Sequence, residues 1–96
     1  MINAIRICEN DNVIVVLEAA PQGSCVLDPD SGGFTAVTDV PRFHKIATRE
    51  IKKGSEVIKY GSPIGTATQD IPIGAHVHTH NLDSLDTMVE HVGGTG

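Results

Sequence analysis

The sequence has no tryptophan, and its aromatic residues are two phenylalanines and one tyrosine. A core must therefore be assembled from Ile, Val, Leu and Ala, which suits a compact fold of short strands. Cysteine is scarce as well: Cys8 and Cys25 have no metal-ligand spacing. They read as small, half-buried apolar residues kept as thiols by a reducing cytosol. Basic residues are outnumbered, seven Lys and Arg against twelve Asp and Glu, for a formal charge of −5. The seven are scattered from Arg6 to Lys59 without forming a block, which argues against a nucleic-acid partner. No apolar run approaches membrane-spanning length, and Met1-Ile2-Asn3-Ala4-Ile5-Arg6 has neither a basic region nor a long apolar one. The chain therefore reads as cytoplasmic with no membrane contact. Its 96 residues fit one domain. A domain of this size buries only about 60–65% of its unfolded surface, so a full catalytic cleft with its own walls is not expected.

What is present is β-forming. Residues Ile2 to Cys8 alternate, with Ile5 and Ile7 on one face and Arg6 and Cys8 on the other, the period of a half-buried strand. After the turn Glu9-Asn10-Asp11-Asn12, the β-branched run Val13-Ile14-Val15-Val16-Leu17 predicts a strand buried on both faces. Ser24 to Leu27 and Phe34 to Thr38 flank Asp28-Pro29-Asp30-Ser31-Gly32-Gly33, whose turn formers predict a long hairpin loop, the most mobile interior segment.

A weak internal repeat organises the chain. Glu50-Ile51-Lys52-Lys53-Gly54-Ser55-Glu56-Val57 and Asp70-Ile71-Pro72-Ile73-Gly74-Ala75-His76-Val77 share an acidic residue, an apolar anchor, a glycine and a second apolar residue at fixed offsets. A degenerate copy runs from Ala19 to Val26 with Gly23 in the glycine place, and a fourth, from Asp39 to Ile46, puts Phe43 there. Each copy reads as an anchor, a tight turn with positive φ, and a strand beginning just beyond. The spacing between copies is irregular, so corner chemistry is reused within one globule rather than stacked as a solenoid. Phe43 is expected to pack in the core.

Beyond Asn81, Leu82, Leu85, Val89 and Val92 recur at helical spacing, with Asp83 and Asp86 early and Gly93-Gly94 as a stop. This predicts a β domain over 1–81, then a short amphipathic helix and a flexible tail over 82–96.

The chemistry concentrates in His76, His78 and His80, separated by Val77 and Thr79. In an extended strand their imidazoles project from one face. Two neighbours can converge on one divalent ion at about 2.0–2.1 Å, whereas all three would need a bend in the backbone. His76 and His78 are the favoured pair, and the site would need further ligands from elsewhere in a complex. The alternative is a solvated polar strand face. His44 and Lys45, beside a corner, combine an imidazole and an ammonium suited to an anionic carboxylate, and Lys59 and Tyr60 can line a polar pocket; the alternative for all four is a solvated turn.

Three segments carry a family resemblance: Phe43-His44-Lys45-Ile46-Ala47, Glu56-Val57-Ile58-Lys59-Tyr60-Gly61-Ser62-Pro63-Ile64-Gly65 and His76-Val77-His78-Thr79-His80-Asn81. With Asp11-Asn12-Val13 they resemble, in order, the SAF domain of the altronate dehydratase family, over about Ile5 to Asn81. The resemblance implies an all-β, β-clip fold and the small subunit of a carbon–oxygen lyase. Such a lyase eliminates water from a sugar acid with iron or manganese, alongside a larger catalytic subunit, and the isolated chain is expected to be inactive. It leaves open a homo-oligomer, the small subunit of sulfolactate sulfo-lyase, and a non-catalytic binding or assembly module. Within the family the paired histidines favour the altronate and sulfo-lyase branches over the galactarate branch. Two positions depart from the family pattern: Phe43 replaces a glycine, and Ala75 stands where an acidic residue is common.

Overall fold

The computed structural model describes residues 1–6, 8–29 and 32–84. The fold is all-β, with no helix among the described residues: β1 (Ile2–Ile5), β2 (Val13–Val16), β3 (Cys25–Leu27), β4 (Phe34–Thr35), β5 (Lys45–Ala47), β6 (Glu56–Lys59), β7 (Ser62–Ala67), β8 (His76–Val77) and β9 (Leu82–Ser84). Six strands form one sheet in the order β4-β3-β1-β2-β5-β8, and β6-β7-β9 form a second. This agrees with the β-clip architecture that the resemblance implies.

The β-branched run at β2 is buried on both faces, as its sequence requires. Val13 joins Ala47, Ile51, Val57, Ile71 and Val77 in one core cluster. Ile14 and Val16 join Val26, Val40 and Ile46 in the other. Because β2 and β5 pair through Val13↔Ala47, Ile14↔Ile46 and Val15↔Lys45, alternate residues of the same ladder feed opposite cores. Each fully buried Val or Ile contributes about 1.5–3 kcal/mol relative to exposure.

The four corners share one geometry. Gly23, Gly54 and Gly74 have φ of 92°, 87° and 85°, and Phe43 joins them at 66°. Their anchors meet in pairs, Ala20 with Val40 and Ile51 with Ile71, as isolated antiparallel bridges. The acidic residue of the later copy caps the earlier turn: the Asp39 carboxylate accepts from the Gln22 amide and the Asp70 carboxylate from the Lys53 amide. Equivalent corners lie 31 residues apart, Gly23 with Gly54 and Phe43 with Gly74, so the copies group into two related halves.

Phe43 does not pack in the core. Its side chain is 59% exposed, with the Arg42 guanidinium 4.4 Å above its ring. The left-handed turn directs it outward. The alternation of β1 is present with the opposite sense to that expected: Ile2 and Ala4 pack against a core, whereas Ile5 is exposed. The reason is Arg6, whose guanidinium is drawn inward by Asp28, donating from Nε to Oδ1 at 2.9 Å and from Nη2 to Oδ2 at 2.7 Å. The hairpin expected around Asp28 to Gly33 forms, with Cys25↔Thr35 and Val26↔Phe34 in register; Ile7, Asp30 and Ser31 are outside the described residues.

The chain does not turn helical at Leu82. Residues Leu82–Ser84 are β9, paired with β7 through Ala67↔Leu82 and Thr66↔Asp83. Leu82 packs on a core cluster from that strand, so the apolar residue that begins the 3.6-residue pattern is a sheet residue. The remainder of the expected helix and tail, 85–96, lies outside the described residues.

Candidate functional site

The site is built where β5 meets β8. These antiparallel strands pair Lys45↔Val77 and Ile46↔His76, and continuing that register by one residue sets His44 opposite His78. Side chains two apart share a face, so His44, His76 and His78 converge above Ile46. His44 Nδ1 and His76 Nε2 lie 2.9 Å apart, a hydrogen bond in which the tautomers decide the donor. The His44 and His78 rings are centred 4.6 Å apart, and His76 and His78 stack at 5.5 Å. One ligand nitrogen from each of the three lies within 4.8 Å of the others.

Strand β8 ends at Val77, and the chain bends at His78, so the extended run expected through His80 stops short. His80 is not one of the three converging imidazoles; its ring leans on His76 at 5.3 Å between centroids. His44 takes the third place instead. The sequence offers one signal for it: His44 follows Phe43 as Ala75 follows Gly74 in the related half, which puts each just before a strand.

Burial and neighbouring positive charges disfavour the protonated forms of His76 and His78. Burial, then repulsion from His44, His80, His78 and Lys45, pushes His76 from the ordinary 6.5 down to about 4. His78 is lowered by desolvation and then by His44, Lys45 and His80. At neutral pH the His76 ring is uncharged, and a nitrogen lone pair is available to an ion or a proton donor. An ion bound at about 2.1 Å by two ligands at right angles holds them about 3.0 Å apart, close to the His44–His76 separation. The His44–His76 pair therefore has the spacing of two ligands of one divalent ion, and His78 stands near enough to offer a third.

The remaining candidates form a second group. Alternation sends Lys45 to the face of β5 opposite His44, where burial and then Lys59 lower its pKa. Lys59 ends β6, its ammonium 4.8 Å over the ring of Tyr60. Tyr60 and Gly61, with φ of 55° and 79°, make the two-residue turn joining β6 to β7. Asp11 fixes that turn, its buried carboxylate accepting from the Gly61 amide at 2.7 Å and the Cys8 amide at 3.2 Å. Thus His44 stands with the imidazoles; Lys45, on the other face of β5, still lies close enough to His76 and His78 to lower both, and Lys59 is shared between Lys45 and the ring of Tyr60.

The altronate/galactarate dehydratase SAF domain family matches residues 2–85. The chain is 48% identical over 86 residues to altronate dehydratase of Escherichia coli (strain K12), covering 85% of this chain and 17% of that protein. It is 42% identical over 77 residues to altronate dehydratase of Bacillus subtilis (strain 168), covering 80% and 15%. It is also 46% identical over 59 residues to (2R)-sulfolactate sulfo-lyase subunit alpha of Paracoccus pantotrophus, covering 59% of this chain and 88% of that subunit. The chain thus spans less than a fifth of the length of these altronate dehydratases. The matched region contains both core clusters, all four corners and the histidine cluster, and on that basis the chain belongs to the altronate/galactarate dehydratase SAF-domain family.

Proposed function

We propose that this chain is the small, accessory subunit of a cytoplasmic lyase that eliminates water from a sugar acid together with a larger catalytic subunit. The observation that carries the reading is the convergence of His44, His76 and His78 within 4.8 Å, with Lys45 close enough to lower His76 and His78. The imidazoles would hold a divalent metal, iron or manganese, with the open positions filled by substrate oxygens or by ligands from the partner. When bound, the metal supplies Lewis acidity to a substrate oxygen. Lys45 and Lys59 attract and orient the carboxylate, and Tyr60 walls that side of the site. The base that takes the proton α to the carboxylate belongs to the larger subunit, because the small domain lacks the walls of a complete cleft. Both cysteines are free thiols, in keeping with a reducing compartment.

A second reading, the small subunit of a sulfolactate sulfo-lyase, is favoured by the 88% of the sulfo-lyase alpha subunit that the alignment covers. One experiment separates them. The tagged chain is purified from its own cells with whatever subunit it retains, and the complex is assayed for water loss from altronate and for sulfite release from sulfolactate. Water loss, with iron or manganese in the complex, supports the first reading; sulfite release selects the second. A stable complex inactive on both marks a binding or assembly module and overturns the lyase reading.

A further inference from the structure

Among the described residues the outer edge of β8 has no neighbouring strand in its sheet, yet its backbone groups are bonded, and by side chains. The His76 amide donates to Thr38 Oγ1 at 3.0 Å. Asn81, 3% exposed, does the rest: its Nδ2 donates to the His76 carbonyl at 2.8 Å and its Oδ1 accepts from the His78 amide at 2.9 Å. Its own backbone amide donates to the His78 carbonyl at 3.0 Å. A donor toward the carbonyl of residue i and an acceptor toward the amide of residue i+2 are what the N–H and C=O of one residue in a parallel neighbouring strand offer. The Asn81 side chain is thus a one-residue substitute for a strand, and it spans the two histidines.

The same device occurs once more, away from the imidazoles. Asn12 Nδ2 donates to the Glu56 carbonyl at 2.9 Å, its Oδ1 accepts from the Ile58 amide at 2.7 Å, and its backbone amide donates to the Ile58 carbonyl at 3.1 Å. Each asparagine carbonyl then accepts from a threonine, Thr48 for Asn12 and Thr68 for Asn81. The two clamps bracket equivalent buried valines, Val57 and Val77, in the two clearest copies of the repeat. One serves the fold at an ordinary strand; the other holds the segment that carries His76 and His78.

We propose that Asn81 is a positioning residue of the imidazole site, its side-chain amide holding the segment from His76 to His78 alongside β5 so that His78 stays with His44 and His76. The proposal rests on reading those imidazoles as a metal-binding site, and its test separates the two. The full chain is labelled with nitrogen-15, and ring-to-ring nuclear Overhauser contacts among the three histidines are recorded. Cobalt(II) is titrated in parallel and followed by its visible absorption. In Asn81→Ala the His78 contacts are lost and cobalt affinity falls about tenfold or more, while Val26 and Ile46 keep native chemical shifts. Asn81→Asp, which keeps the acceptor for the His78 amide and loses the donor to His76, falls between. Asn12→Ala lowers the melting temperature but leaves the ring contacts and the cobalt affinity of the folded chain within about twofold of the parent. Native ring contacts in the folded Asn81 variants overturn the proposal, as does an Asn12→Ala variant that loses them equally. Ring contacts without cobalt binding in the parent chain overturn the metal reading alone, and the contacts in the Asn81 variants still decide the role of Asn81.

Discussion

The two halves of this domain build the same corner and fill it differently. Phe43 and Gly74 occupy equivalent places, both with positive φ, and their amides make equivalent bonds, to the carbonyls of Val16 and Ala47. At Gly74 a β-carbon would collide with the Thr35 carbonyl. At Phe43 the side chain stands 59% exposed under the Arg42 guanidinium. The backbone conformation is therefore set by the pairing of the corners, and the residue tolerated there by the space beside it. The difference bears on the site: the residue after the open corner is His44, and the residue after the crowded one is Ala75, itself buried.

The largest effect is expected where the crowded corner is filled. Gly74→Ala adds a backbone collision to a left-handed conformation, and chemical denaturation should show a loss of about 4 kcal/mol or more. A loss under about 1 kcal/mol would mean that the two corners are equally roomy. Truncating an anchor tests whether each half needs its bridge: Ile71→Ala should cost about 3 kcal/mol by the same measurement, with Val40→Ala costing less because fewer buried carbons are removed. A greater loss at Val40 would reverse the ranking of the halves.

A pH series addresses the site on the second half. His76 titrates at about 4 when folded, below its ordinary 6.5, so the unfolded chain takes up the proton first. Its contribution to stability is complete above about pH 6.5 and is lost as the pH falls toward 4. Denaturation midpoints should decline across that window, and His76→Gln should flatten the decline; an unaltered slope would remove His76 as its source. The smallest effect is expected at the open corner. Phe43→Gly relieves the left-handed strain while freeing the unfolded chain, and the net change should stay within about 1 kcal/mol. A melting temperature lowered by ten degrees would show that Phe43 packs against something after all.

Local pattern made part of this legible. The run Val13–Val16 announced a strand buried on both faces, and the repeat announced four corners, including the one at Phe43 whose backbone behaves as a glycine's would. The reading failed where a distant partner intervened. The inward turn of Arg6 depends on Asp28, and the strand at Leu82 depends on β7, whose Gly65 has the Asp83 carbonyl where a β-carbon would stand. The spacing of His76 and His78 pointed to part of the imidazole cluster; His44 was legible only as a residue beside a corner, and the clamp of Asn81 has no local signature.

By itself the sequence determined an acidic, tryptophan-free β domain with reused glycine corners and a strand beginning at His76, because strand period and turn chemistry are properties of neighbouring residues. Only the tertiary structure decided which histidines meet. The pairing of β5 with β8 sets His44 across from His78, the bend after Val77 swings His80 out of the group, and part of the repulsion that lowers His76 comes from His44 and Lys45, remote in sequence. Convergence of that kind is fixed by strand register, a long-range choice that one segment's pattern does not contain.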